Sequence, residues 1–400
     1  MKERWISPKT ITGDAATGER YLRRDYINDI FWEEVRKGNH ILFVAPRRVG
    51  KTSIMKDLAE NCPEGFAAIY QNIEGVKSGN EFYQRLFSLI LQCIDRSPLD
   101  KAKAFIANCR KKYNIQEITR AGIKFGEKEL DYEGEVRNII PQLKDAEVHT
   151  VIFLDEFSEV VNTLNKKGQQ EEAIAILHTL REIRSDDNFK HFTLVFAGSI
   201  GLEYVITTVD RPKLINDLHP IVTGPLRDDE AIKLIHQLTG EATIQLSEKV
   251  INAINFTVGH LLPYYIQLML EEIDLLAREN EQTTISEEMV GMAFKRVLRK
   301  NKNFEDWLER LKRYHVNHFS FLNDILKHTA HKGRITVQEI YYKASDEKYQ
   351  RTEDYMTFVD QLINDGYLME LDTHVYTFTS PFLHQFWLKK YPIYDQQFIQ

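Results

Sequence analysis

Four hundred residues with 52 Lys and Arg against 59 Asp and Glu carry a net charge of −7, so global charge directs the chain to no polyanion, and a nucleic-acid contact would need a local basic patch. Its 43% hydrophobic and 28% charged content is that of a globular protein with a large core, at a length that accommodates two or three domains. No apolar run approaches the roughly 18 to 20 residues of a membrane span, Met1-Lys2-Glu3-Arg4-Trp5 shows no secretory apolar core, and Cys62, Cys93 and Cys109 form neither a C-x-x-C pair nor a zinc-like spacing. A reducing, cytoplasmic setting is therefore expected.

Residues 21–37 place Tyr21, Leu22, Tyr26, Ile27, Ile30, Phe31 and Val35 close to a helical repeat, which Gly38-Asn39 closes. The strand Ile41-Leu42-Phe43-Val44 then runs into Ala45-Pro46-Arg47-Arg48-Val49-Gly50-Lys51-Thr52-Ser53, and a helix with apolar Ile54, Met55, Leu58 and Ala59 follows. Apart from Ala45 at the first position, this is the phosphate-loop pattern G-x-x-x-x-G-K-[ST] in its strand, loop and helix setting. The chemistry explains each residue. Backbone N–H groups of the loop and first helical turn face a polyanion, and the helix dipole adds favourable potential. Gly50 lets the backbone approach phosphate and adopt φ > 0. Lys51 supplies a mobile charge for the β- and γ-phosphates, and the Thr52 hydroxyl can ligate Mg2+. Ala45 is the smallest side chain that can replace the first glycine, provided its φ stays negative. A surface turn that merely contains Gly-Lys-Thr is the competing reading, and the apolar elements on both sides weigh against it.

Phe66-Ala67-Ala68-Ile69-Tyr70-Gln71 reads as a second strand, and residues 79–96 as an amphipathic helix carrying Phe82, Leu86, Leu89, Ile90 and Ile94. Residues 97–133 are more polar, and Gly122-Ile123-Lys124-Phe125-Gly126 fits either a hairpin or a loop. A helix from Glu135 precedes Thr150-Val151-Ile152-Phe153-Leu154-Asp155-Glu156, an apolar strand ending in two carboxylates. Such a run suits a parallel sheet covered on both faces, and its carboxyl end is where open α/β sheets bind ligands. Phe192-Thr193-Leu194-Val195-Phe196-Ala197-Gly198-Ser199 is a further strand, and His219-Pro220-Ile221-Val222-Thr223-Gly224 a weaker fifth. The alternation predicts a doubly wound α/β core ending near Pro225.

Beyond it the pattern is helical over residues 228–240, 247–256, 263–279 and 286–299, with caps at Ser247 and Ser286. Residues 295–313 gather eight basic residues against three acidic ones. From about His315, helices precede two strands around Asp372-Thr373-His374 and a last helix through Phe382, Leu383, Phe386 and Trp387, the order of a winged helix. The expected domains are residues 1–226 for the core, 227–313 for a helical lid and basic linker, and 314–400 for the winged-helix module.

Asp155 and Glu156 are the natural partners of the loop: the first to hold Mg2+, the second to polarise the attacking water. Their competing reading is a solvated pair ending a strand. Ser199 is a candidate γ-phosphate sensor or a plain turn residue, and Arg211 a weak candidate for an arginine finger. Arg47 and Arg48 suit phosphate, a neighbouring carboxylate or a subunit across an interface equally well, because the planar fork pairs with each.

At these residues the chain resembles a known group. Ala45-Pro46-Arg47-Arg48-Val49-Gly50-Lys51-Thr52-Ser53 looks like the G-P-R-R-x-G-K-T-S loop of the archaeal-type ATPases, a branch of the STAND and origin-recognition-like AAA+ proteins. Phe153-Leu154-Asp155-Glu156-Phe157 is similar to their Walker B strand, Phe196-Ala197-Gly198-Ser199 to their sensor strand, and Gly259-His260-Leu261-Leu262-Pro263 to the helix start of their lid, with two residues between histidine and proline. The resemblance covers about nine-tenths of the chain, from Gly18 to the tail. It implies a P-loop NTPase core with a parallel sheet, a helical lid and a winged helix, with ATP and Mg2+ as cofactors and hydrolysis coupled to conformational change. The expected function is an ATP-hydrolysing switch acting on a protein partner or through self-association. A DNA-acting ATPase is the second reading, against which residues 315–400 count eight basic and eleven acidic residues. A nucleotide-dependent scaffold with little turnover is the third.

Overall fold

The computed structural model describes residues 4–119, 122–126, 130–198, 202, 205–206, 212–300, 302–346 and 352–394. The chain divides into two compact units, one of Arg23–Ala45 and Lys51–Thr223, the other of Met1–Leu22, Pro46–Gly50 and Gly224–Gln400.

The first unit is α/β. Its strands are β1 (Ile41–Val44), β2 (Phe66–Asn72), β3 (Ile115–Ile118), β4 (Ile123–Phe125), β5 (His149–Asp155), β6 (Phe192–Ala197) and β7 (His219–Val222). Five of them form a sheet in the order β2-β5-β6-β1-β7, every pairing parallel. Its helices are α1 (Asp25–Arg36), α2 (Lys51–Glu60), α3 (Gly79–Asp95), α4 (Asp100–Lys112), α5 (Tyr132–Ile139), α6 (Phe157–Lys166) and α7 (Gln170–Ser185). The interior strands show why the sheet is parallel: β6 is buried at every position and β5 at every position after His149. Neither alternates, as a sheet covered on both faces demands. The weak fifth strand is an edge strand, the one place a ladder tolerates Pro220. Gly122 to Gly126 belong to the β3–β4 antiparallel hairpin, so of the two readings the hairpin holds.

Phe153 of β5 is fully buried and stacks on Phe31 of α1 with ring centroids 5.3 Å apart. Replacing Phe153 with Ala is expected to destabilise the protein by about 3–5 kcal/mol, read as a fall in the urea midpoint at unchanged slope.

The second unit contains the helices α8 (Asp228–Thr239), α9 (Glu248–Val258), α10 (Pro263–Glu279), α11 (Glu287–Arg299), α12 (Lys302–Tyr314), α13 (Phe319–Lys332), α14 (Val337–Asp346), α15 (Thr352–Asn364) and α16 (Pro381–Lys390). The expected caps are present: the Ser247 side chain accepts from the Val250 N–H and Ser286 from the Met289 N–H. Gly259 ends α9 at φ +74°, where a Cβ would lie 2.8 Å from the Pro381 ring, so both backbone and space require glycine. Strands β8 (Ile335–Thr336), β9 (Leu368–Asp372) and β10 (Val375–Phe378) form an antiparallel sheet in the order β8-β10-β9. The tail thus runs helix, short strand, two helices, hairpin, helix. Extended residues ahead of Gly18 dock on this unit: Trp5 Nε1 donates to Asp274 Oδ1 at 2.9 Å and the Lys9 N–H to the Leu238 carbonyl at 2.8 Å. Among the described residues no helix is long and apolar enough to cross a membrane.

Candidate functional site

Because the sheet is parallel, β1, β5 and β6 all end on one edge, and Asp155 closes β5 there. Asp155 is 1% exposed, a position a carboxylate tolerates only when its oxygens are paired. They are. Oδ2 accepts from the Thr52 hydroxyl and from the Tyr70 hydroxyl, each at 2.9 Å, and Oδ1 accepts from the Glu156 N–H at 3.0 Å. Lys51 Nζ lies 3.9 Å from Oδ1 and donates to the Gly198 carbonyl beyond β6. The lysine and threonine of the loop motif and the first carboxylate of the strand motif are therefore in direct reach of one another.

Tyr70 was not among the residues the sequence singled out. It lies on β2, the edge strand beside β5. Burial, reinforced by the Asp155 charge, drives its phenol well above the ordinary range, so the hydroxyl stays a donor. Lys56 Nζ sits 5.5 Å from its ring centroid.

Glu156 takes the left-handed conformation, φ +60°, as the residue preceding α6. A non-glycine residue held there stores on the order of 1 kcal/mol, and such positions cluster where a side chain has to be aimed. Ser53 is buried in α2. Ser199 and Arg211 lie outside the described residues.

The preceding loop residues, Pro46–Gly50, belong to the second unit. Gly50 adopts φ +91° with no atom within 4 Å of where a Cβ would stand, so the requirement is conformational. Arg48 also has positive φ, +69°, whereas Ala45 does not. The condition under which alanine can replace the first glycine is met, and Ala45→Gly is expected to leave nucleotide affinity within about threefold of wild type, a change no larger than the 0.5–1 kcal/mol entropic difference between the two residues. Titration with a fluorescent ATP analogue checks this, and a loss beyond tenfold would refute the turn geometry.

The two arginines have partners from far along the chain. Arg47 Nη2 pairs with Asp306 of α12 at 2.8 Å, and its guanidinium lies 5.1 Å from the Trp307 ring. Arg48 stacks 3.9 Å from the Tyr264 ring at the start of α10. Burial would raise the Asp306 carboxyl, but the Arg47 charge and hydrogen bond hold it below its ordinary value. Val49 is buried, and a Cβ on Gly366 would approach Pro46 to 3.2 Å.

Three of the eight basic residues of 295–313 form ion pairs within the unit. Arg296 contacts Glu279 at 2.6 Å and the fully buried Glu272 at 3.2 Å, Lys300 also pairs with Glu272, and Lys312 meets Glu309 at 3.0 Å. Arg310 packs on Tyr314, 4.8 Å from the ring. Further on, residues 352–388 contain no Lys or Arg but six carboxylates: Glu353, Asp354, Asp360, Asp365, Glu370 and Asp372.

The donor set fits a hard divalent cation. Thr52 and Asp155 present a hydroxyl and a carboxylate in contact, the few oxygen ligands from which Mg2+ is held when phosphates and waters complete its shell. No group of three His, Cys, Asp or Glu that could hold a metal ion occurs among the described residues, so phosphates and waters would have to supply the other ligands. When bound, Mg2+ would neutralise charge on the phosphates at Thr52 and Asp155.

No family model matches the chain, and no curated protein sequence is a significant match. Solved structures do match in fold. A Walker-type ATPase of Pyrococcus abyssi, PABY2304, is 17% identical with a TM-score of 0.63, over 96% of this chain and 98% of that one. The ORC2 protein of Aeropyrum pernix, in ADPNP and ADP complexes, is 13% identical with a TM-score of 0.54, over 97% of each chain. The parallel sheet, the phosphate loop opening α2 and the carboxylate closing β5 give this chain the fold of the archaeal Walker-type and origin-recognition-like P-loop ATPases.

Proposed function

We propose that the protein is an ATP-binding, Mg2+-dependent ATP-hydrolysing switch that couples its nucleotide state to a protein partner. Lys51 and the backbone of Ala45 to Ser53 take the phosphates, Thr52 and Asp155 hold Mg2+, and Glu156 polarises the attacking water. Ser199 retains the proposed role of γ-phosphate sensor, while the finger role of Arg211 has only its place in the chain to support it.

The observation that carries the switch reading is the set of partners the loop arginines take: Arg47 pairs with Asp306 and lies over Trp307, and Arg48 stacks on Tyr264. Arg47 Nη1 and Arg48 Nε are buried without a hydrogen-bond acceptor among the described residues. Polyanion binding along such a loop competes with Asp306 for the same guanidinium, which supplies the differential contact that a population shift needs.

The DNA-acting alternative rests on reading the tail as a winged helix and on the basic stretch 295–313. Charge favours a protein partner: the absence of Lys and Arg over 352–388 leaves little to neutralise phosphate if the tail is read as a winged helix with α15 as its recognition helix. Affinity capture separates the readings. Glu156→Gln in ATP should retain a partner protein that Lys51→Ala does not, and recovery of the same proteins by both variants would refute nucleotide-gated binding. DNA binding that weakens steeply with salt would support the alternative. Retained ATP binding with no wild-type turnover would identify a scaffold.

A further inference from the structure

We propose that Tyr70 is the positioning residue of the metal-binding carboxylate, fixing the Asp155 side chain before Mg2+ arrives and so setting the Mg2+ dependence of nucleotide binding. The proposal rests on the reading of Thr52 and Asp155 as the cation site.

The geometry is a consequence of register. In the parallel β2–β5 ladder Tyr70 pairs with Phe153 and Asn72 with Asp155. Tyr70 is therefore two positions behind Asp155 in register, which puts both side chains on the same face of the sheet, about 7 Å apart along the strand. A tyrosine is long enough to span that distance, and its hydroxyl meets Oδ2 at 2.9 Å.

Asp155 Oδ2 accepts from two hydroxyls, and their sources differ in kind. Thr52 lies in the first turn of α2, just after the loop that takes the phosphates, and under this reading its oxygen is itself a metal ligand. Tyr70 is anchored in the sheet, in a strand paired along its whole length with the strand that carries Asp155. With the Glu156 N–H on Oδ1, the carboxylate is held at both oxygens by groups that stay in place whatever Thr52 does. A ligand fixed in this way loses little freedom when the cation binds, and groups that orient a metal ligand typically contribute 10- to 100-fold in metal affinity. Phenylalanine would keep the ring and its packing and leave Oδ2 held by the Thr52 hydroxyl alone, a group that the cation itself recruits under this reading. Oδ1 accepts a single hydrogen bond and keeps a lone-pair site for a cation, so Tyr70 on Oδ2 leaves room for one.

The test is a Mg2+ titration of the binding of a fluorescent ATP analogue to the full chain, for wild type, Tyr70→Phe and Asp155→Asn, with a parallel titration in EDTA and a thermal melt of each variant. For Tyr70→Phe the half-saturating Mg2+ concentration is expected to rise about tenfold, at the low end of that range, with nucleotide affinity in EDTA unchanged. Asp155→Asn is expected to lose most of the Mg2+ dependence. If Asp155→Asn behaves so and Tyr70→Phe titrates as wild type, the role of Tyr70 is refuted and the cation site stands. An equal loss of affinity with and without Mg2+ also refutes it, since a purely structural hydroxyl would act in both. If wild-type binding is indifferent to Mg2+, the cation site itself falls, and Tyr70 with it. Should Tyr70→Phe melt early, Tyr70→Leu supplies the second variant: it keeps an apolar side chain with no hydrogen-bond donor, and an unshifted Mg2+ midpoint in it would overturn the proposal.

Discussion

Glu156→Gln is expected to bind ATP as wild type does and to lose turnover by a factor of about 10²–10⁴, the usual contribution of a positioned general base. The carboxamide matches the carboxylate in size and keeps hydrogen-bonding capacity, so the helix start that places residue 156 should survive. That start is demanding. Glu156 sits at φ +60° between β5 and α6, and its N–H is committed to Asp155 Oδ1 at 3.0 Å. Both features belong to the backbone and are indifferent to the substitution. What changes is the ability to attract a proton from water, which an amide lacks. Phosphate release at saturating ATP measures the loss, and binding of the fluorescent analogue measures what is kept. Turnover within threefold of wild type would remove Glu156 from the reaction; a parallel loss of binding would show that it shapes the site instead.

Lys51→Ala is expected to weaken ATP binding by about 10- to 100-fold, the equivalent of one charge-assisted hydrogen bond of roughly 1.5–3 kcal/mol. The ammonium group is held where a phosphate can recruit it, on the Gly198 carbonyl and 3.9 Å from Asp155 Oδ1, with a side chain only 11% exposed. Transfer to a phosphate exchanges a neutral acceptor for an anionic one in a poorly solvated setting, and that difference drives the affinity. ATP should lose more than ADP because the γ-phosphate contact disappears as well. Comparison of the two affinities in wild type and variant checks this, and equal losses would place Lys51 on the inner phosphates alone. The melting temperature of the nucleotide-free variant should change little, since the deletion leaves one carbonyl short of a donor.

The elements that were plain in the sequence are those whose burial is uniform. β5 and β6 are buried along almost their whole length because helices cover both faces of the sheet, so short, mostly apolar windows were enough to identify them. The edge strand β7 was faint for the opposite reason: four residues, one of them proline, with half the positions exposed. Glycines at both ends of the hairpin segment left it open, since glycine marks a loop and a tight turn alike. The Lys51, Thr52 and Asp155 cluster was legible because two local patterns, each with a known place in an α/β sheet, bracket it.

Other features depend on which distant segments meet. That Tyr70 reaches Asp155 follows from β2 lying next to β5 in that register, and nothing within a few residues of Tyr70 encodes a neighbour 85 positions away. The sequence left Arg47 with three kinds of partner; Asp306, 259 residues on, is the one it takes in this structure. The basic stretch 295–313 could be counted along the chain, but that Arg296 and Lys300 pair with the buried Glu272 shows only in the packed unit. The physical reason is common to all of these. A phosphate loop, a cap or a buried strand is specified by spacing along a few residues, where steric rules and hydrogen-bond geometry act directly. The partner of a long polar side chain is chosen by hydrophobic packing, which carries no directional code and reveals its outcome only in the assembled fold.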